Sequence, residues 1–400
     1  MPLRNILILT FCQLISATGA IVMVTLGGII GSKFATNPTL ATLPVSIMIL
    51  SVAFTTIPAT MLMKRIGRRR GFSLASISAI VGTIFGGLAL YLQSFEIFIL
   101  TGATFGINMA FTQQYRYAAA ESVDQQYSPQ AISYVLLGAI GGALVGPELV
   151  KYGEYAVPSV QYMGTLITVG VLYGFQALLF LTLGPLRGEE VEEVAEDCRP
   201  LPKIIRQPLF VVAVLGGATA YATMTFIMTA TPLSMHIHDG FGLLETTKVI
   251  RAHVLAMYIP SLVTGHLINR FGVVRIMTAG AAALIVACIV GLQGHTYIHY
   301  WHALVLLGLG WNFLYIGGTT MVTLTYSLSE RFQAQAVNEF SVFGMSAVGS
   351  LLAGTIIHLY GWYTLVLVPL PLLAITLVGL LWVRNDLLIA GLRSRPPGKG

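Results

Sequence analysis

Twelve apolar stretches, each near the length of a membrane-crossing helix, constrain this chain more than any other feature of its 400 residues. They lie near 5–31, 42–63, 72–93, 96–119, 130–151 and 158–184, and again near 208–233, 247–268, 273–293, 301–325, 338–359 and 362–384. A bilayer's hydrocarbon core asks for about 20 mainly apolar residues per helix. Backbone polar groups find no water there, so a single spanning segment satisfies them within itself, as an α-helix. Composition agrees, with 56% of residues hydrophobic and 10% charged, where soluble domains carry about 25% charged residues. The only long polar stretch, 185–207, holds Glu189, Glu190, Glu192, Glu193, Glu196 and Asp197 and reads as a solvated connector. The expected fold is an all-α integral membrane protein with twelve transmembrane helices in two six-helix bundles, 1–184 and 208–400, joined by the linker 185–207.

The bundles look related. Residues 60–70 read TMLMKRIGRRR and residues 265–275 read GHLINRFGVVR, about half a chain apart. Each segment closes one apolar stretch and precedes another, with Leu62 and Leu267, a polar Lys64 or Asn269, Arg65 and Arg270, then Gly67 and Gly272 in register. Two pseudo-symmetric halves can rock against each other around a central site, which is how many secondary transporters work.

Basic residues set the orientation. With the N-terminus inside, the loop after the second span carries Lys64, Arg65, Arg68, Arg69 and Arg70. The loop after the eighth carries Arg270 and Arg275, and the tail Arg384, Arg393, Arg395 and Lys399. The opposite face has only Lys33, Lys151, Lys248 and Arg251. The excess marks the cytoplasmic side, so both termini and the linker are expected there. The net charge of +6 is thereby read as membrane orientation and not as nucleic-acid binding. Cys12, Cys198 and Cys288 are too scattered for a disulfide framework or a metal set. No cleavable leader is evident, and the run after Arg4 reads as the first span. No phosphate-cradling loop, nucleophile elbow or redox motif appears, so neither an enzyme nor an ATP-driven pump is expected, and no cofactor or metal.

Residues 60–69 resemble the motif G-x-L-x-D-R-x-G-R-R of the major facilitator superfamily, and Gly138…Gly142-Ala-Leu-Val-Gly146-Pro147 is similar to that family's fifth-helix motif G-x-x-x-G-P. With the twelve spans and the linker, the resemblance covers the whole chain. It implies alternating access, with helices 1, 4, 7 and 10 lining a cavity. The chain departs from the pattern at Thr60, where Gly is usual, and at Lys64 and Asn269, where Asp is usual. In the family that Asp joins a charge network holding the outward-facing state. Lysine only donates hydrogen bonds, so either a different latch or a less firmly held outward-facing state is expected here. The fifth-helix motif continues Glu148-Leu149-Val150 in place of further glycines, which leaves the direction of transport open. Asp124 and Glu330 occupy matching positions before helices 5 and 11. They read either as helix-capping acids or as latch partners of Arg65 and Arg270. Stretches 251–265 and 311–334 also resemble a branch of bacterial transporters for riboflavin or of unassigned substrate, and no site residue is drawn from that likeness.

Polar residues within spans are costly and therefore candidates for function. Helix 4 is richest, with Asn108, Thr112, Tyr115 and Arg116 on roughly one face of a continuous helix. Arg116 suits an anionic group of the solute, or else snorkels to the cytoplasmic surface to pair with Glu121 or Asp124. Tyr221 and Thr225 on helix 7, and Trp311, Asn312 and Tyr315 on helix 10, offer aromatic faces with amide and hydroxyl groups. Such a lining suits a partly planar, moderately polar organic solute, the alternative being helix-packing aromatics. Glu148 and His253 are the candidate proton carriers, against an ion pair of Glu148 with Lys151 and a packing role for His253. His236, His238 and Asp239 cluster without a third fixed ligand for a metal, and Glu339 reads as a charge at the start of helix 11. The expected function is secondary active transport of a small organic solute, proton-coupled, by a monomer in a bacterial inner membrane. An efflux antiporter, an uncoupled facilitator and a transporter-like receptor are the alternatives.

Overall fold

The computed structural model describes residues 3–36, 43–184, 199–232 and 239–393, together with 40, 186, 234 and 235. Most of the acidic linker, His236 and His238 lie outside the described residues. The main elements are α1 (Leu3–Phe34), α2 (Leu43–Ile66), α3 (Arg68–Leu92), α4 (Phe95–Thr112), α5 (Tyr115–Glu121), α6 (Ser128–Gly153), α7 (Met163–Phe180), α8 (Leu201–Ile205), α9 (Pro208–Pro232), α10 (Leu243–Tyr258), α11 (Ser261–Phe271), α12 (Val273–Leu292), α13 (Tyr297–Thr323), α14 (Arg331–Leu367) and α15 (Leu370–Arg393). No strand occurs among the described residues. Eleven helical segments among them are long and apolar enough to cross a bilayer.

The remaining expected span, 247–268, is divided into α10 and α11 at Ile259–Pro260. Proline lacks the amide hydrogen of a helical residue, and its ring crowds the preceding turn. Asn312 of α13 bridges the break. Its Nδ2 donates to the Met257 carbonyl at 2.6 Å and to the Ser261 hydroxyl at 2.7 Å, and its Oδ1 accepts from Thr264 at 2.6 Å. A second interruption splits the continuous helix expected at 96–119 into α4 and α5. There the Gln114 amide bonds the Phe111 carbonyl at 2.9 Å in one tighter turn. The helix expected from 338 begins at Arg331, and α14 continues through a kink at Gly361, where φ is 75°.

The repeat recurs in the backbone. Gly67 before α3 has φ 81° and ψ 158°, and Gly272 before α12 has φ 88° and ψ 149°. Each amide bonds the carbonyl four residues back, Met63 at 2.9 Å and Ile268 at 2.8 Å. Side chains disfavour that half of φ space, so glycine is required at both corners.

The chain forms two compact units. The first holds residues 1–198 and 328–351. In it α1 packs along α6, α2 along α4, and α3 against α4 and α7. The α1–α6 contact is close because α6 presents Gly138, Gly142 and Gly146 to it. A Cβ on Gly142 would lie 2.5 Å from the Ala17 Cβ, and one on Gly146 2.8 Å from Ile21. Small residues at four-residue spacing let lipid-embedded helices approach in this way. The second unit holds residues 199–327 and 352–400, with α13 packed against α9, α10 and α12. The α14 helix belongs to the first unit up to Leu351 and to the second beyond it.

Candidate functional site

The first unit buries a network of charges. Arg68, the first residue of α3, is 1% exposed. Its guanidinium forks onto Glu121 of α5, Nε to Oε2 at 2.8 Å and Nη2 to Oε1 at 2.6 Å. Nη1 donates to Gln114 at 3.2 Å, and Nη2 also to Gln335 of α14 at 2.9 Å. Arg331 stands 3.8 Å from Glu121, and the Phe332 ring faces both guanidinium groups, 5.1 Å from Arg68 and 4.6 Å from Arg331. A two-pronged arginine–carboxylate pair is the strong form of ionic contact and fixes geometry as well as charge. Lys64 and Arg65, the expected latch residues of the same loop, are exposed. The acid that lysine at 64 cannot provide comes from α5.

A second buried pair adjoins it. Arg116 of α5 is bonded to Oε1 of Glu339 on α14. The same oxygen accepts from the Tyr117 hydroxyl at 2.9 Å and from Asn338 Nδ2 at 2.7 Å, and Asn338 also donates to the Tyr117 oxygen at 2.9 Å. Gln113 accepts from Arg116 at 3.0 Å. Glu339 is wholly buried, and its Oε2 has no hydrogen-bond partner. Glu339 is not a charge at a helix start, since α14 begins at Arg331 and Glu339 sits in its interior. Its partner Arg116 is far away in sequence, which local reading does not reveal.

The turn at Gln113–Gln114 sends the helix-4 candidates to three different neighbours. Asn108 donates to the Ala75 carbonyl of α3 at 2.9 Å, the Tyr115 hydroxyl accepts from Gln176 of α7 at 2.8 Å, and Arg116 goes to α14. Glu148 and Lys151 are both exposed on α6, with no ion pair between them. Asp124 and Arg270 are exposed, whereas Glu330 is buried.

The second unit gathers the aromatic candidates on α9, α10 and α13. Trp311 and Tyr315 stack with ring centres 4.8 Å apart and planes 26° apart. Tyr221 stands edge-on to both, at 5.3 and 4.8 Å, and Tyr258, which sequence reasoning passed over, is edge-on to Trp311 at 5.6 Å. Trp311 is 1% exposed, yet its indole nitrogen has no acceptor. A buried donor without a partner is costly and is uncommon in native structures. Tyr221 and Thr225 are half-buried, one turn apart on α9. Asn312 is occupied at the α10–α11 break. His253 is buried, its Nδ1 2.8 Å from the Leu304 carbonyl. A carbonyl only accepts, so Nδ1 carries the hydrogen and Nε2, also buried and without a partner, is left as an acceptor. No cluster of three or more His, Cys, Asp or Glu suited to a metal occurs among the described residues.

Comparison with known proteins places these features. The family model described as Major Facilitator Superfamily matches residues 6–250 and 249–398. The chain is 37% identical over 380 residues to the riboflavin transporter RfnT of Brucella anthropi, covering 94% of this chain and 95% of that one. It is 28% identical to YddS of Bacillus subtilis, an uncharacterized MFS-type transporter, over 94% of this chain and 89% of that one. Among solved structures, the human organic anion transporter MFSD10 superposes with a TM-score of 0.76 at 13% identity, covering 95% of this chain and all of that one. The transporter FucP superposes with a TM-score of 0.69 at 16% identity, covering 93% and 98%. At these identities the structural likeness concerns the fold.

Proposed function

The chain belongs to the Major Facilitator Superfamily and is a multi-pass membrane transporter, and we propose that its solute is a flavin of the riboflavin type, carried by alternating access between bundles 1–184 and 208–400. The observation that carries this reading is the aromatic cluster of the second unit. An isoalloxazine ring is planar, offers apolar faces for stacking and bears carbonyl oxygens on one edge. The Trp311–Tyr315 pair supplies ring faces, and the unpartnered Trp311 N–H is a donor suited to such a carbonyl. Tyr221 and Thr225, half-buried on α9, suit the hydroxyls of a polyol chain. The identity with a riboflavin transporter over nearly the full length supports the same solute class.

Around this core the proposal assigns further roles. Asn108, Tyr115 and Asn312 join the solute contacts once their present bonds to neighbouring helices rearrange. Arg116 is the contact for an anionic group, which riboflavin lacks and a flavin phosphate has. The Arg68–Glu121–Gln335 network is a latch on the cytoplasmic face, and Lys64, Arg65, Arg270, Asp124 and Glu330 are the further latch members suggested by sequence. Coupling is to protons; of the carriers suggested by sequence, Glu148 is exposed and His253 is engaged through Nδ1 with the Leu304 carbonyl, so the carrier is sought among the other buried acids. The protein acts as a monomer in a bacterial inner membrane, with both termini cytoplasmic.

Counterflow tests the reading. Purified protein in liposomes loaded with riboflavin should exchange it for labelled riboflavin outside. Trp311→Ala should weaken that exchange at low solute concentration, and flavin mononucleotide run in parallel reports on Arg116. Absence of riboflavin exchange by the wild type would overturn the assignment, and ligand binding without exchange would favour a receptor.

A further inference from the structure

We propose that Glu339 binds the coupled proton, on its Oε2, and that protonation releases Arg116. The inference rests on the reading of the chain as a proton-coupled carrier. Within the charge network of the first unit, the two carboxylates are not equivalent. Both oxygens of Glu121 are engaged, Oε1 by Arg68 and Gln335 and Oε2 by Arg68. Glu339 gathers all its donors on Oε1, from Arg116, Tyr117 and Asn338, and leaves Oε2 buried and bare. A proton can therefore add to an Oε2 lone pair without displacing a hydrogen bond. Glu148 is exposed and makes no ion pair with Lys151, while His253 uses Nδ1 to hold α10 to α13.

The surrounding charges decide what protonation does. Facing Glu339 are Arg116 and Tyr117 from α5 and Asn338 from α14 itself, while further along the same two helices Glu121 holds Arg68 of α3, Gln335 and Arg331. Arg68 and Arg331 lie on Glu121, which leaves Arg116 as the guanidinium on Glu339. Neutralising Glu339 converts –COO⁻ to –COOH and leaves the Arg116 cation buried beside a neutral acid. Removing one partner of a buried ion pair is strongly unfavourable. Proton binding and the closed α5–α14 contact therefore oppose each other, and by linkage each weakens the other to the same degree. The proton enters as the pair opens, Arg116 turns to water or to an anionic solute, and the proton leaves when the pair re-forms. The step therefore ties proton movement to opening and closing of the α5–α14 contact inside the first compact unit.

The experiment combines transport with infrared difference spectroscopy on the full-length protein. For one proton per solute, a gradient of one pH unit supports about tenfold riboflavin accumulation by the wild type. Glu339→Gln should retain gradient-free counterflow within roughly threefold, a change of under 1 kcal/mol, and lose the accumulation. Acidification of wild-type protein should produce a carboxylic-acid band and deplete a carboxylate band. Sixteen Asp and Glu residues contribute to these bands, so the Glu339 component is the difference between wild type and Glu339→Gln, and its carboxylate part should shift in Tyr117→Phe, which removes one donor to Oε1. Full accumulation by Glu339→Gln, or an acid band equal to that of the wild type, overturns the proposal. If Glu339→Gln does not fold, an unshifted carboxylate band in Tyr117→Phe overturns it equally. Wild-type protein that exchanges riboflavin but shows neither accumulation nor an acid band defeats the proton site alone, whereas wild-type protein that exchanges none defeats the transport reading beneath it.

Discussion

Arg68 and Trp311 represent the two kinds of buried polar side chain in this protein, one fully satisfied and one waiting. Arg68→Ala leaves Glu121 only Gln335 at 3.3 Å and Arg331 at 3.8 Å and should destabilise the protein by about 3 kcal/mol, the lower end of what breaking a buried pair from one side costs. Arg68→Lys keeps a charge without the planar fork and should cost less. Thermal unfolding in detergent ranks the two, and equal midpoints would show that the fork geometry contributes nothing. Trp311→Phe keeps an aromatic face and removes only the N–H. If that group bonds a flavin carbonyl, riboflavin affinity should fall by roughly tenfold, the consequence of leaving a buried acceptor unpaired. Titration of flavin fluorescence measures it, and unchanged affinity assigns the indole to packing. The Trp311–Tyr315 pair was legible in the sequence because helical spacing of four puts both rings on one face. Arg68 was not, since nothing local distinguishes it from Arg69 and Arg70, and only the fold decides that the first of the three turns inward. Glu339 was obscured by the start of its helix, placed seven residues too late by the apolar pattern, because Arg331, Gln333 and Gln335 interrupt the hydropathy of a helix that continues through them.

At the level of whole helices, apolar length found the eleven segments long and apolar enough to cross a bilayer, because the hydrocarbon core imposes one length on them, and it read the broken pair α10–α11 as one continuous helix. The interruptions divide differently. The break at Pro260 has a visible cause, whereas the turn at Gln113–Gln114 has no proline or glycine to announce it. Gly142→Ala tests the α1–α6 seam. A methyl there would press on Ala17 and the Thr18 amide, at 2.5 and 2.7 Å, so helix backbones must separate. Overpacking of that kind costs about 1–3 kcal/mol, readable as a lowered melting midpoint, while Gly174→Ala, which meets nothing within 4 Å, should leave the midpoint nearly unchanged. Asn312→Leu removes the bridge over the α10–α11 break and takes the amide donor from the Met257 carbonyl and the Ser261 hydroxyl, while the Thr264 hydroxyl keeps its bond to the Pro260 carbonyl. A loss of about 1–3 kcal/mol is expected, and a midpoint equal to the wild type would show that water replaces the amide.

For the molecule as a whole, solute binding and stability are one measurement. A ligand that binds only the folded protein stabilises it by about 2.7 kcal/mol at a hundred times its dissociation constant. Riboflavin should therefore raise the melting midpoint in proportion to the logarithm of its concentration, and Trp311→Ala should need more riboflavin for the same shift. A midpoint indifferent to riboflavin and responsive to an unrelated solute would redirect the substrate assignment.

The placement of Glu339 also bears on how the protein is made. Arg116 precedes its partner by 223 residues. At a synthesis rate of about 5–20 residues per second, the guanidinium exists for roughly ten to forty-five seconds before Glu339 leaves the ribosome. Arg68 can find Glu121 within the first few seconds of that interval, whereas Glu339 reaches Arg116 only at its end. The first unit therefore reaches its final form only after residues 328–351 are made, when most of the second has already been synthesised. A ribosome stalled before residue 339 should display an α5 that is open to protease or to a water-soluble cysteine label, and that becomes protected once the nascent chain includes the start of α14.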